Sequence, residues 1–201
     1  PGRANLYARL PGDGSRKALM LMHHMDVVPA RPEEWTVPPF DGEVRDGYVW
    51  GRGAVDNKGS GVMELLAVVL MKRLHLPLSR DLVLLAVADE EQGGAHGARY
   101  MMREHAALFR DVEFALNEGG GGRSDGKGNL AIANIHVGEK AAVNYRIEAT
   151  NPGGHSSRPV KDNAIYHLAA ALTRVSTLEF PVQFNDTTRI YFTRMGEITG
   201  G

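Results

Sequence analysis

Three carboxylates, Asp89, Glu90 and Glu91, stand directly after seven consecutive apolar residues, Leu82 to Ala88. Like charges this close raise one another's pKa, a cost that is offset where a cation or a proton-transfer step uses them. Three other stretches offer partners of the same chemistry. His24 and Asp26 follow the apolar run Ala18 to Met22, Asp56 lies in Gly51-Arg52-Gly53-Ala54-Val55-Asp56-Asn57-Lys58-Gly59, and Glu118 lies in Asn117-Glu118-Gly119-Gly120. The chain has no cysteine, so any metal is held by imidazole and carboxylate. His24, Asp56, Glu91 and Glu118 supply one imidazole and three carboxylates, a set suited to zinc and, less selectively, to manganese or cobalt. One ion needs fewer acids, whereas two ions about 3.5–4 Å apart, sharing a bridging carboxylate and a bridging water, use them all. Glu90, next to a ligand but free to face that water, is the natural general base. Asp26, two residues beyond His24 on extended backbone, points to the same side and can sit behind the imidazole.

The elements that must position these groups alternate along the chain. Leu6 to Leu10 and the apolar run Ala18 to Met22, separated by Pro11-Gly12-Asp13-Gly14, read as a hairpin opening onto a buried strand. Arg31 to Phe40 is a Pro-rich loop in which Trp35 and Phe40 are expected to pack, and Asp41 to Trp50 is a hairpin turning at Asp46-Gly47. The Gly-rich loop of Asp56 opens an amphipathic helix over Gly61 to Leu74, with Val62, Leu65, Leu66 and Val69 at helical spacing. A buried strand over Asp81 to Ala88, a helix over Ala95 to Glu104 and a short strand over Phe114 to Leu116 complete the pattern. This order predicts an α/β layer with a largely parallel sheet, in which ligands gather at the carboxyl ends of strands. His24, Glu90, Glu91 and Glu118 all fall there. After a Gly-rich polar loop over Gly121 to Asn129 the character changes. Strands are expected over Ala142 to Ala149, Val182 to Phe184 and Thr188 to Thr193, with a helix over Asn163 to Val175. The expected division is 1–138 and 139–201, the second part a smaller α+β domain.

Bulk properties narrow the function. The formal net charge of −1, from 23 basic and 24 acidic residues, supplies no general attraction for nucleic acid or an anionic membrane. The longest apolar stretch, Val62 to Met71, is too short to span a bilayer and is interrupted by Glu64. No targeting segment is visible, and the composition does not assign a compartment. A chain that starts at Pro1 and stops at Gly200-Gly201 reads as an internal piece of a longer protein.

His24-Met25-Asp26-Val27-Val28-Pro29, the Gly51 to Gly59 stretch, Asp89-Glu90-Glu91 and Asn117-Glu118-Gly119, in this order, resemble the dizinc metallopeptidases and aminoacylases. That family includes acetylornithine deacetylase, succinyl-diaminopimelate desuccinylase, carnosinase and Gly-X carboxypeptidase. The resemblance implies a three-layer zinc-peptidase-like catalytic domain, here incomplete, and a truncated lid or dimerisation domain. It implies that His24 and Glu118 bind one zinc ion, that Glu91 binds the other, and that Asp56 bridges them. Asp26 would orient the His24 imidazole. Glu90 would take a proton from the bridging water and pass it to the leaving amine. Gly154-His155-Ser156-Ser157 matches the lid motif whose His, in dimeric members, reaches the other subunit's site and stabilises the oxyanion. The substrate would be a small peptide or an N-acyl amino acid, and two copies would pair through the lid. The Glu-Gly-Gly form of the third motif and Trp35-x-x-Pro38-Pro39-Phe40 point to the Gly-X carboxypeptidase and aminoacylase branch. Two departures stand out: His23 occupies a position where relatives usually carry Gly, and the family's last ligand, a His after the lid, falls beyond the chain. The fragment alone is therefore expected to be inactive.

Simpler explanations exist for single residues. Asp56 could cap the helix that follows it, and Asn-Glu-Gly-Gly is an ordinary turn sequence. A non-catalytic metal-binding relative of the same fold would keep the ligands, although Glu90 would then have no task. A nucleotide-binding α/β domain is the other alternative. Gly51-x-Gly53-x-x-Asp56 has an acid where a dinucleotide fingerprint needs its third Gly, and Lys58 is not set as in a phosphate-binding loop.

Overall fold

A computed structural model describes residues 2–140 and 143–200. The chain divides into two units, Pro1–Ala133 and Asn134–Gly201. In the first, β1 (Leu6–Leu10), β2 (Ala18–His24), β5 (Leu82–Val87) and β6 (Val112–Leu116) form one sheet in the order β1-β5-β2-β6. β2 runs parallel to both β5 and β6, and β1 is antiparallel to β5. The parallel core expected from the alternation of elements is present. The expected β1–β2 hairpin is not, because β5 lies between the two strands. Gly12 and Asp13 turn toward the start of β5, where Gly12 N–H donates to Asp81 Oδ1 at 2.8 Å and Asp13 N–H to the Leu78 carbonyl at 2.8 Å. That docking carries the chain away from β2's edge.

β5 is the centre of the core, with all six residues buried, as a strand covered on both faces requires. Leu85 and Val87 pack with Met101 and Phe109, joined by Met20 and Met22 of β2. Met101 belongs to α2 (Ala98–Glu104), so α2 and the turn over Ala106–Phe109 cover this face. The other face receives α1 (Ser60–Arg73), where Gly61 approaches so closely that a Cβ would lie 2.6 Å from the His23 ring. The result is helix on sheet on helix. α1 is not amphipathic as expected. Val62, Met63, Leu65, Leu66 and Leu70 are each about half exposed or more, because apolar residues surround the helix and only one side meets the sheet.

β3 (Glu43–Arg45) and β4 (Tyr48–Trp50) pair antiparallel through a turn in which Asp46 and Gly47 both have positive φ, as predicted. Within the Pro-rich loop Trp35 packs under the Arg52 guanidinium, 5.1 Å from its ring centroid, but Phe40 is exposed. The predicted loop at Gly121 to Asn129 contains a strand instead. β7 (Gly121–Ser124) pairs with β8 (Leu130–Asn134) around a turn whose amides at Lys127 and Asn129 donate to Asp125.

The second unit departs further from expectation. Beyond Asn134 its described residues form two helices, α3 (Ala164–Ser176) and α4 (Asp186–Thr199), and no strand. Residues 143–149 form neither helix nor strand, and Ala142 lies outside the described residues. α4 replaces the strand expected over Thr188 to Thr193. Asn185 and Thr188 form a reciprocal capping box at its start, and that local bonding outweighs the β-propensity of Thr, Ile, Tyr and Phe. α3 matches its predicted position, capped by Asn163, whose side chain accepts from Ile165 N–H at 2.9 Å. No helix among the described residues is long and apolar enough to cross a membrane.

Candidate metal centre

His24 ends β2, where Met25 N–H still donates to the Val87 carbonyl at 2.8 Å and ties this strand end to that of β5. The imidazole is buried, with 2% of its side chain exposed. Its Nδ1 lies 2.9 Å from the Asp26 main-chain carbonyl, which can only accept, so Nδ1 carries the hydrogen. In the neutral ring Nε2 is then a bare lone pair. It faces Asp56 Oδ1 at 2.9 Å and Glu118 Oε2 at 3.4 Å. Ligand atoms of all three residues lie within 4.8 Å of one another. Three acceptors converging on one point repel unless a proton or a metal ion sits among them. The pKa of His24 records that demand: burial pushes it down, but the bond to Asp56, the Asp26 carbonyl and the charges of Glu118 and Glu90 outweigh burial and raise it above 6.5.

Asp56 reaches this point from an irregular turn over Ala54–Gly59, where Asp56 and Asn57 leave helical geometry before α1 begins. Asn57 is buried, which anchors the turn while Asp56 stays exposed. Asp56 is therefore not a simple cap of α1. Glu118 arrives two residues after β6 ends, beside His24 because β6 is β2's other neighbour. Sheet order brings together groups that are more than 90 residues apart in sequence.

The acidic run after β5 divides its labour. Asp89 is buried, takes positive φ, and is held by Arg3 Nη2 at 3.2 Å and His96 N–H at 3.1 Å, a supporting role. A close approach of Gly97 to the Ala88 carbonyl, which would lie 1.8 Å from any Cβ, lets the loop fold back under β5. Glu90 and Glu91 begin a short 3₁₀ turn, Glu90–Gln92. The Glu90 carboxyl is raised above 4.5, first by loss of solvent, then by Glu118, against the opposing pull of His24. Glu91 is not drawn into the cluster: among the described residues, the group of three or more that could hold an ion comprises His24, Asp56 and Glu118. The Asp26 carboxylate also differs from its expected place. It accepts from Glu90 N–H at 3.1 Å and Glu91 N–H at 3.2 Å and lies 3.6 Å from His24 Nδ1.

His23 points away from the cluster, as alternation along β2 requires. Its Nδ1 lies 2.8 Å from Glu64 Oε2 on α1, a partner that the sequence reading missed. The available signal was the strand period, which sends adjacent residues to opposite faces. His155 stands in the second unit in an exposed turn, Nδ1 2.7 Å from Ser157 Oγ. His75, His96, His105, His136 and His167 are exposed. The Gly51 to Gly59 loop delivers a carboxylate to an imidazole, which is the opposite of a phosphate cradle.

The profile of "Peptidase family M20/M25/M40" matches residues 20–193. The human N-fatty-acyl-amino acid synthase/hydrolase PM20D1 is 34% identical over 187 residues, which cover 92% of this chain and 37% of that protein. Succinyl-diaminopimelate desuccinylase of Paracoccus denitrificans is 34% identical over 160 residues, covering 79% of this chain and 40% of that protein. The chain thus spans well under half the length of these relatives. Among solved structures, human carnosine dipeptidase 1 aligns with a TM-score of 0.50 and 27% identity, over 57% of this chain and 25% of that one.

Proposed function

Because the chain belongs to peptidase family M20/M25/M40, we propose that the protein of which these residues form part hydrolyses an amide bond in a small peptide or an N-acyl amino acid, with two zinc ions. The observation that carries this reading is the bare Nε2 of His24 aimed at two carboxylates, an arrangement that calls for a cation. The donor set is chemically right for zinc, with cobalt or manganese as substitutes. His24 and Glu118 would hold one ion, Asp56 would bridge, and Glu91 would hold the second. Bound zinc would polarise the scissile carbonyl and lower the pKa of a water.

Glu90 is the general base in this reading. Its raised pKa brings its proton affinity closer to that of the water it must deprotonate, and its position beside Glu118 places it at the cluster's edge. It would hand the same proton to the departing amine. The Asp26 carbonyl holds the Nδ1–H tautomer that leaves Nε2 free to ligate. His155 would act on the oxyanion from a second copy, with pairing through residues 139–201, and this part rests on family resemblance. Two similar proteins are named for cleaving or forming acyl–amine bonds, PM20D1 and the desuccinylase, which supports an N-acyl amino acid over a longer peptide.

The test uses the full-length protein with zinc or cobalt and a panel of N-acyl amino acids and dipeptides. Glu90→Gln should lower kcat by about 10²–10⁴-fold while leaving the metal bound. Hydrolysis by Glu90→Gln at the native rate would remove Glu90 from the chemistry. Absence of metal-dependent hydrolysis in the native protein, with metal bound, would favour a non-catalytic binder.

A further inference from the structure

We propose that the Asp26 carboxylate is a positioning group for the Glu90–Glu91 turn, and that Asp26 holds the His24 Nδ1–H through its main-chain carbonyl and not through its carboxylate. The inference deepens the hydrolase reading and rests on it for the meaning of Glu90. The contacts divide cleanly. His24 Nδ1 has one hydrogen, and the Asp26 carbonyl oxygen at 2.9 Å takes it, while the nearest Asp26 carboxylate oxygen is 3.6 Å away. Both carboxylate oxygens are committed elsewhere, Oδ1 to Glu90 N–H at 3.1 Å and Oδ2 to Glu91 N–H at 3.2 Å.

The turn needs that acceptor. The first amides of any helical turn have no partner within it. The residue before this turn, Asp89, is of a type that often caps, yet its side chain makes no capping bond because it is engaged by Arg3 and by His96 N–H. Later amides are satisfied locally, with Gln92 and Gly94 N–H donating to the Asp89 carbonyl. Glu90 and Glu91 are left to Asp26, which reaches across from the end of β2. A carboxylate receiving two amides forms charge-assisted bonds, stronger than neutral ones. One residue thus ties the imidazole by its main chain and the acidic turn by its side chain, so a substitution at Asp26 should separate the two functions.

Asp26→Ala and the near-isosteric Asp26→Asn, which keeps one acceptor oxygen, make the separation measurable in the full-length, metal-free protein. Hydrogen exchange at the Glu90 and Glu91 amides should accelerate about tenfold or more in Asp26→Ala, with Asp26→Asn between it and the native protein. The ¹⁵N signature of the His24 ring should still report the Nδ1–H tautomer in both. With metal and substrate, kcat should fall while KM changes little, because the base and not the binding surface has been loosened. A His24 tautomer that is lost or mixed in either variant would overturn the proposal, as would unchanged exchange at Glu90 and Glu91. Both spectroscopic readouts are made without metal or turnover, so they decide the role of Asp26 even if the protein hydrolyses nothing.

Discussion

The two ends of the central sheet carry opposite charge economies. At the end where β5 and β6 begin, Arg9 of β1 reaches Asp81 through Nε at 2.7 Å and pairs with both oxygens of Asp111, while Gly12 N–H supplies Asp81 with a further donor. Every carboxylate there has a cation or an amide, and the arrangement fastens the starts of two strands to a third. At the opposite end Asp56 and Glu118 aim at the same imidazole lone pair of His24, and the charge of Glu90 adds to theirs. The balanced end is what folding alone selects. The unbalanced end is delivered by a buried strand paired on both sides, and the proposed zinc ions would supply the charge it lacks.

Supplying or denying the missing charge is the strongest way to break this contrast. Zinc at about 100 times its Kd should raise the unfolding free energy by about 2.7 kcal/mol in chemical denaturation, and His24→Ala should abolish most of that gain. An equal gain in His24→Ala would mean that the ion binds elsewhere. The balanced end should ignore zinc and respond instead to loss of its cation. Arg9→Met leaves two carboxylates facing each other and should cost about 1 kcal/mol, limited by the partial exposure of the pair. Acid should expose the same dependence. Asp81 is held below its ordinary 3.8 by the Gly12 amide and then Arg9, and Asp111 below it by Arg9. Groups with depressed folded pKa values contribute stability that is complete above 3.8 and disappears as pH falls through the lowered values. Native protein should therefore lose stability below about pH 4 more steeply than Arg9→Met, as followed by circular dichroism. Parallel acid curves would show that the Arg9 cluster contributes nothing.

Much of the unbalanced end was legible because its signals are local. An apolar run ending in three acids and a His-x-Asp at a strand end each fit within a few residues, and strand order did the rest. The balanced end was invisible, because Arg9, Asp81 and Asp111 have no spacing that marks them. Its invisibility also concealed the true neighbour of β1, since a Pro-Gly turn between two apolar runs reads as a hairpin unless a distant contact overrides it. The direction of the Asp26 side chain is not readable from spacing, because the same-side rule for residues two apart holds only while the chain stays extended, and β2 ends at His24. Past that point the backbone turns, the carbonyl takes the imidazole and the carboxylate is free for the next loop. Glu91 stands after the end of β5 as expected, but the 3₁₀ turn that it shares with Glu90 spreads neighbouring side chains by about 120°, so its direction is not readable from its place in the sequence.

The smallest expected effect concerns the cost of the unbalanced end itself. Glu90 has a folded pKa above its ordinary 4.5, so its ionised form is the one that folding disfavours. For an acid shifted in this direction the penalty is absent below 4.5 and develops as pH rises through the raised value. Glu90→Gln removes the ionisable group and, in metal-free protein at pH 7–8, should stabilise by on the order of a few tenths of a kcal/mol, since the side chain is exposed and water screens the repulsion. The gain should shrink at about 1 M salt, where the Debye length falls to about 3 Å. Paired with the loss of turnover in the same variant, a small gain would identify Glu90 as a group kept for chemistry at the expense of stability. A loss of stability in metal-free Glu90→Gln would mean that the carboxylate is held by attractive contacts, and the contrast between the two ends of the sheet would fail at that residue.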